Sequence, residues 1–509
     1  MSRLKLVLVI YFCFMFLFLS ISFFTTSTFG QGVYEAWVAR YNGPGNNFDY
    51  ALALAVDDSG NVYVTGYSGV YPYEDYATIK YSPFGETLWV KRYDGPGNGR
   101  DEAVALAVDD SGNVYVTGFS KGSGTSGDYA TIKYSYAGDT LWVRRYNGPG
   151  NSDDRANGLA VDGSGNVYVT GYSWSGTPFD YATIKYSSAG DTLWVRRYNG
   201  PGNDNDGAVA LAVDGSGNVY VTGYSWSGTT FDYATIKYSY AGDTLWVRRY
   251  NGPGNNYDVA YTLAVDGSGN VYVTGSSGTI KYSASGDSLW FGVYGGHDLA
   301  IDGSGNVYVA GGGLDYITIK YSSDGDTLWV RSYNGPGNEY DEASALAVDD
   351  SGNVYVTGSS VGSDPYNYTD YATIKYSSSG DTLWVKRYNG AGNGGDGANA
   401  LAVDDSGNVY VTGWSLGTVW PDNDYATIKY FPCTSANPKT GDANGDGEVN
   451  LADIIFKIDY IFKAGPKPNP SCRADVNADG NLLLTDIVYL INFLFKSGST
   501  PQPTGTCCL

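Results

Sequence analysis

The sequence predicts an all-β array of repeated four-stranded units followed by a small α-helical module. Three observations carry this: a segment that recurs eight times between residues 33 and 431, strand-and-turn chemistry inside each copy, and an abrupt change to paired acidic loops after Pro432. Composition agrees. Gly (70) and Tyr (48) are abundant among the 509 residues, only 17% are charged and 15% are aromatic. Glycine without a G-X-Y period argues against collagen, and the aromatic content argues against a disordered chain. With 53 acidic against 31 basic residues the net charge is −22, the wrong sign for a nucleic-acid footprint. The single histidine, His297, removes most His-dependent catalysis and His-rich metal sites, and a lone histidine without a nucleophile reads as structural.

Residues 1–30 read as a secretory signal. Arg3 and Lys5 precede an apolar run from Leu6 to about Phe24, and Thr28-Phe29-Gly30 offers small residues for cleavage before Gln31. The run is also long enough for an uncleaved N-terminal anchor. Beyond Cys13, the cysteines are Cys433, Cys472, Cys507 and Cys508. Four cysteines in an exported chain suggest two disulfides. Neighbouring Cys507 and Cys508 suit a mutual bond poorly, so each is expected to reach back, to Cys433 and Cys472; free thiols or intermolecular links are the alternative.

The repeat begins with Leu54-Ala-Val-Asp-Asp-Ser-Gly-Asn-Val-Tyr-Val-Thr-Gly66, whose leucine recurs at 106, 159, 211, 263, 299, 346 and 401. Thr78-Ile-Lys-Tyr81 also occurs eight times, and Leu141-Trp-Val-Arg-Arg-Tyr146 represents eight Trp positions from Trp37 to Trp384. Each unit therefore reads as four short strands: Leu-Ala-Val, Asn-Val-Tyr-Val-Thr, Ala-Thr-Ile-Lys-Tyr and Leu-Trp-Val-Arg-Arg-Tyr. They are rich in β-branched and aromatic residues and separated by Gly, Asn, Asp and Ser turns. Val-Tyr-Val runs without alternation suit sheets packed on both faces. The Asp-x-Ser-Gly-Asn segment has too few ligands for calcium and reads as an Asx-type turn.

Four-stranded units at this period fit the blades of a β-propeller. The array starts with a lone Trp-type strand, Ala36–Tyr41, and stops after a third strand at Tyr430. Pairing the two would close the ring and remove its open edge. The expectation is an eight-bladed propeller over residues 33–431, closed by its N- and C-terminal strands; a seven-bladed ring follows if the irregular unit 263–298 fails to form a blade. Asp128-Tyr-Ala-Thr-Ile-Lys-Tyr134 and Leu211-Ala-Val-Asp-Gly-Ser-Gly-Asn-Val-Tyr-Val-Thr-Gly223 resemble the beta-propeller repeat family named for seven-bladed propellers.

In such blades the second-to-third strand loops and the blade-to-blade loops share one face. Those loops differ between units (Tyr67–Asp75, Phe119–Asp128, Tyr172–Asp180, Ser359–Asp370, Trp414–Asp424), whereas the opposite turns are nearly copies. Varied loops on a rigid scaffold are where binding resides. The candidate ligand residues are Tyr71, Tyr73, Trp174, Trp226, Tyr366, Tyr368, Trp414 and Trp420, aromatic platforms for a glycan or peptide. The plain alternative is that these aromatics pack the loops.

Residues 432–440 read as a linker. Beyond it, Asp442-Ala-Asn-Gly-Asp-Gly-Glu-Val-Asn-Leu-Ala-Asp453 places oxygen side chains at positions 1, 3, 5, 9 and 12 of a calcium loop, with Gly447 turning it. The candidate ligands are Asp442, Asn444, Asp446, Glu448 through its carbonyl, Asn450 and Asp453. Thirty-three residues on, the second loop offers Asp475, Asn477, Asp479, Asn481 through its carbonyl, and Asp486, so two Ca²⁺ ions are expected. Each loop feeds an apolar helical stripe: Ile454, Ile455, Ile458, Ile461 and Phe462, then Ile487, Val488, Ile491, Leu494 and Phe495.

Residues 441–497 resemble a type I dockerin, leaving 498–509 as a cysteine-containing tail. The resemblance implies calcium-dependent folding and docking to a cohesin domain. Dockerins often carry Ser-Thr at loop positions 10 and 11; here those positions are Leu451-Ala452 and Leu484-Thr485, a departure that bears on partner choice. The functional expectation is a secreted, non-catalytic binding or scaffold protein tethered through its dockerin. The alternatives are a polysaccharide-degrading enzyme of a dockerin-linked assembly, by association with that family, and a structural cell-surface component. No motif singles out a catalytic carboxylate pair.

Overall fold

The structure is a computed structural model that describes residues 33–176, 178–363, 366–417 and 422–432, and in the C-terminal region 441, 443–444, 449–463, 465, 474, 476, 482–496 and 498–499. The signal segment, linker residues 433–440, all four C-terminal cysteines, Trp420, and the ligand candidates Asp442, Asp446, Glu448, Asp475, Asn477, Asp479 and Asn481 lie outside the described residues. Among the described residues no helix is long and apolar enough to cross a membrane.

After the lone strand β1 (Val33–Tyr41), the chain repeats an antiparallel meander typified by β2 (Phe48–Val56), β3 (Val62–Gly69), β4 (Asp75–Tyr81) and β5 (Thr87–Tyr93). Six later meanders are separate four-stranded sheets. The last three strands, Asp396–Val403, Val409–Leu416 and Asn423–Pro432, pair in series, and Asn423–Pro432 pairs with β1 and touches the β2–β5 sheet through one Phe48–Asn423 bridge. First strands of successive sheets contact one another in chain order, and Asp396–Val403 contacts β2. The molecule is thus a closed β-propeller, and Glu35–Phe431 forms one compact unit.

Local chemistry explains each strand. On β3, Val62, Tyr63, Val64 and Thr65 are all buried, because both faces of the sheet meet neighbours; this is why the run lacks alternation. Gly66 lies opposite a bulge between Ala51 and Ala53, and a Cβ there would fall on the Tyr50 carbonyl oxygen. Glycine is therefore the residue that fits. In the turn between β2 and β3 the Asp57 carboxylate accepts from the backbone N–H of Ser59 (3.0 Å) and Asn61 (2.9 Å), from Asn61 Nδ2 (2.8 Å) and from Tyr63 Oη (2.8 Å). That is an Asx-type lock repeated around the ring, with its oxygens engaged by the chain itself.

Sheets are joined by three recurring side chains. The indole N–H of the fourth-strand Trp reaches the last turn of the next sheet, as Trp142 to Ser188 O (3.2 Å). A third-strand Tyr donates to the next sheet's alanine carbonyl, as Tyr129 to Ala182 O (3.1 Å). A fourth-strand Arg binds its own sheet's Ser and Asp and the previous sheet's Tyr, as Arg197 to Ser173 Oγ (2.7 Å), Asp180 (2.9 Å) and Tyr146 Oη (3.0 Å). All three cross the chain ends: Trp37 bonds Pro83 O (3.0 Å), Tyr425 bonds Ala77 O (3.2 Å), and Arg40 binds Asp424 (2.9 Å), Ser415 Oγ (2.7 Å) and Tyr388 Oη (3.0 Å). The irregular unit also forms four strands, Ala260–Val265, Val271–Gly275, Gly278–Tyr282 and Ser288–Gly292, but Val293, three residues after Trp290, stands where the clasping Arg would be.

His297 sits where Asn157 and Asn399 sit in other sheets. Those amides donate to the next sheet's alanine carbonyl at 2.8 Å, and His297 Nδ1 lies 3.1 Å from Ala343 O. It is an inter-sheet pin.

In the C-terminal region, α1 (Leu451–Lys463) and α2 (Leu484–Lys496) pack around Ile454, Val476, Ile487 and Leu490. The expected apolar stripe divides. Ile458, Ile461, Ile491 and Leu494 join this core, whereas Ile455, Phe462, Val488 and Phe495 are exposed. Positions 455 and 462 follow 454 and 461 by one residue, about 100° further round the helix.

Candidate ligand rim and calcium loops

In the module, the twelfth-position carboxylates organise the loops. Asp453 and Asp486 are buried. Asp453 accepts from the backbone N–H of Asn444 (3.2 Å) and Asn450 (2.8 Å), one on each oxygen. Asp486 does the same with Val476 (3.0 Å) and Leu483 (2.9 Å). Asn450 Oδ1 accepts from Ala452 N–H (2.7 Å), capping α1. Each carboxylate draws the start and end of its loop together. A buried acid held at the closing position of an oxygen-rich loop fits calcium. Of the predicted ligands, Asn444, Asn450, Asp453 and Asp486 are thus gathered into two loop closures.

On the propeller, the variable-loop residues divide. Tyr71, Tyr73, Tyr366 and Tyr368 are exposed, with Tyr366 and Tyr368 rings 5.7 Å apart. Trp174, Trp226 and Trp414 correct the loop assignment, because all three lie within strands. The ladder runs on through Trp174–Phe179 and Trp226–Phe231 pairs, and these edge-to-face rings, 5.0 and 5.1 Å apart, lengthen the hairpin at the loop's expense.

A second set of residues, which apart from Trp414 the sequence reading missed, lies on the first two strands of the sheets. On the first two strands of six sheets, one cross-strand pair is Asp–Ser (49–68, 101–120, 154–173, 206–225, 341–360, 396–415), and the next but one is Ala–Gly (51–66, 103–118, 156–171, 208–223, 343–358, 398–413). The pair between them changes from sheet to sheet: Tyr50–Tyr67, Glu102–Phe119, Arg155–Tyr172, Gly207–Tyr224, Glu342–Ser359 and Gly397–Trp414. Aligning the copies register by register is the signal that finds it.

These side chains touch in series. Trp414 lies 5.5 Å from Tyr50, which stacks on Tyr67 at 5.2 Å and 15°. The Arg100 guanidinium stands 5.9 Å from the Tyr67 ring and pairs with Glu102, whose other oxygen takes Arg155 at 2.7 Å. Asn423 Nδ2 donates to Tyr50 Oη (2.7 Å). Gly397 and Gly207 make room for the aromatic opposite, since a Cβ at Gly397 would lie 2.6 Å from Trp414 Nε1 and one at Gly207 2.5 Å from the Tyr224 ring. Burial raises the Glu74 carboxyl above its ordinary value, with Arg100 opposing and Glu102 adding to the rise. At the outer edge of the rim, burial pushes Asp49, Asp101 and Asp396 up to about 6.

Six segments, 36–74, 141–180, 193–229, 245–279, 328–366 and 383–419, match the family described as Beta-propeller repeat, and residues 440–495 match the Dockerin type I domain. None of the curated proteins matches. Among solved structures, the Dos1 propeller is similar at 11% identity and a TM-score of 0.50, over 78% of this chain and 95% of its own. Sqt1 of Chaetomium thermophilum is similar at 10% identity and a TM-score of 0.54, over 79% of this chain and 99% of its own. The same protein bound to the N-terminus of a ribosomal protein gives 10% and 0.54, over 78% and 100%. At these identities the likeness is one of fold.

Proposed function

Because the chain is a beta-propeller-repeat protein with a C-terminal type I dockerin domain, we propose that it is a secreted, non-catalytic binding protein, tethered through its dockerin to a cohesin-bearing partner. The propeller, read as eight blades over residues 33–431, presents its variable-loop face to a ligand. The dockerin, over 441–497 and loaded with two Ca²⁺ ions, supplies the attachment. Cys433, Cys472, Cys507 and Cys508 form two disulfides around it.

The observation that carries the tether is the surface of the two helices. Leu451, Ile455 and Phe462 on α1 are exposed, and so are Leu484, Val488 and Phe495 at the same positions on α2. Six large apolar side chains left in water on two short helices favour a protein partner. Calcium bound in the loops would neutralise acidic side chains that otherwise repel one another and would fix the N-terminal ends of α1 and α2. Asp453 and Asp486 would hold it together with Asn444, Asn450 and the ligand candidates Asp442, Asp446, Glu448, Asp475, Asn477, Asp479 and Asn481.

The reading of the propeller as a binding scaffold rests on its rigid inter-sheet clasps beside diversified loops. The Sqt1 propeller bound to a ribosomal protein's N-terminus supports the general use of the fold for binding. The test of the tether is capture of the full chain on immobilised cohesins, in calcium and after chelation. Retention in calcium that is lost on chelation, and lost again in Leu451→Asp/Leu484→Asp, supports it; retention indifferent to both changes refutes it.

A further inference from the structure

Along the inner rim, six blades that are otherwise close copies each carry a different pair. A purely structural pair would follow its Asp–Ser and Ala–Gly neighbours, which hold constant in these six sheets because each supports the same bulge and the same backbone bonds. Divergence at a pair framed by constant neighbours, with Tyr50, Tyr67, Arg155 and Trp414 half-buried, marks a surface whose chemistry is set by something other than packing. The side chains form an unbroken crescent, Trp414, Tyr50, Tyr67, Arg100, Glu102, Arg155, across four consecutive sheets.

Two buried polar atoms beside the crescent point to what would sit there. Glu74 is 2% exposed and its Oε2 has no hydrogen-bond partner; Asn423 is 7% exposed and its Oδ1 has none, although its Nδ2 is committed to Tyr50. Both orphans are acceptors, so the missing group is a donor. Charge is balanced, with Glu74 and Glu102 facing Arg100 and Arg155, which gives no preference for an anionic or cationic ligand. Flat aromatic faces suit the C–H faces of a pyranose ring, and the acceptors suit its hydroxyls. A peptide is favoured less. The rim strands spend their backbone groups on their own ladders and offer no free edge for strand addition.

From this we infer that the inner rim from Trp414 to Arg155 binds a neutral oligosaccharide, with sugar rings on Tyr50, Tyr67 and Trp414 and hydroxyl donors to Glu74 and Asn423. The assignment rests on the variable-loop face being the binding face, and it moves the contact from the loop tips to the rim.

The experiment titrates the full-length protein in calcium with neutral gluco-, xylo-, manno- and galacto-hexaoses by calorimetry. It then repeats any positive titration with Tyr67→Ala, Arg155→Ala and the conservative Tyr67→Phe. Near-native melting temperatures certify folding, and Phe84→Ala on an exposed turn is the control. Binding to at least one probe that weakens about tenfold or more in Tyr67→Ala and Arg155→Ala, with Tyr67→Phe close to wild type, is the expected result. No binding to any hexaose, or affinity unchanged in both rim variants, overturns the rim. Loss in Tyr73→Ala and Tyr366→Ala instead returns the site to the loop tips, leaving the face reading intact. Binding of a peptide library with no hexaose binding overturns the sugar assignment. Calcium-dependent cohesin capture is read separately and is unaffected by any of these outcomes.

Discussion

Arg40→Ala tests whether the chain ends hold the ring. The Arg40 side chain binds Asp424 (2.9 Å), Ser415 Oγ (2.7 Å), Tyr388 Oη (3.0 Å) and two backbone carbonyls, Ser415 O (3.1 Å) and Leu416 O (3.3 Å). Its side chain is 24% exposed and that of Asp424 11%, so the pair is largely removed from water. Asp424 Oδ1 already lacks a hydrogen-bond partner; removing Arg40 strips Oδ2 as well and leaves a buried carboxylate uncompensated. Breaking a buried pair from one side costs about 3–5 kcal/mol, and partial exposure places this one near 3 kcal/mol. With unfolding entropy of about 2.1 cal/mol/K per residue over roughly 400 residues, 3 kcal/mol lowers the melting temperature by about 4 °C.

All twelve tryptophans lie at or before residue 420, so tryptophan fluorescence follows the propeller without contribution from the helical module. Arg197→Ala removes the same clasp inside the chain and is the comparison. Both variants are expected to melt about 4 °C early. Arg40→Ala alone is expected to self-associate in light scattering, because loosening β1 bares the edge of the Asn423–Pro432 strand. A melting temperature within about 1 °C of wild type for Arg40→Ala, beside a clear loss in Arg197→Ala, would refute closure by the two ends.

The pH dependence follows from two sets of carboxyls. Burial pushes Asp49, Asp101 and Asp396 up to about 6, against roughly 3.9 in an unfolded chain. The folded state thus keeps protons that the unfolded chain has lost, and stability declines as pH rises from about 4 to about 6. At the turns, partial burial pushes Asp109, Asp162, Asp214, Asp266 and Asp302 upward, but Asn and Tyr side chains and backbone N–H groups outweigh it and hold them below 3.8. Their contribution is present above the unfolded value and disappears as pH falls through the folded one. The urea midpoint is therefore expected to be higher at pH 5 than at pH 7.5; a midpoint that climbs across that interval contradicts the assignment. Gly171→Ala, whose Cβ would fall on the Arg155 carbonyl oxygen, is expected to cost about 3 kcal/mol in chemical denaturation. Gly163→Ala, with nothing within 4 Å, should stay within about 0.5 kcal/mol, and equal effects would discount the close approach. Chelation is expected to remove the helical circular-dichroism signal of α1 and α2 while leaving the tryptophan spectrum unchanged, and a helical signal that survives excess chelator counts against calcium-dependent folding.

Much of the fold was legible because a repeat advertises itself. Eight copies of a strand-turn-strand phrase, and a spare Trp strand at the start to match a missing one at the end, imply closure before any coordinates. The loop closures were legible for a related reason: side chains at fixed spacing act locally, so the acids at the twelfth positions, Asp453 and Asp486, announce themselves in one dimension. The helical stripe was half legible, since periodicity identifies an apolar arc but not which edge of it meets the partner helix, and Ile455 and Phe462 fell outside the core.

The sequence by itself determined the strands, their turns and the order in which they follow one another, because propensity, glycine placement and Asx turns act over a few residues. Only the tertiary structure decided which residues share a surface. The Trp174 and Trp226 ladders shortened the loops, and bulges beside Ala51, Ala156 and Ala398 set which pair is framed by the constant ones. Tyr50 and Trp414 stand side by side although 364 positions separate them. Such adjacency comes from closing a ring, where the geometry of every blade fixes where the two ends meet, and no local preference encodes it.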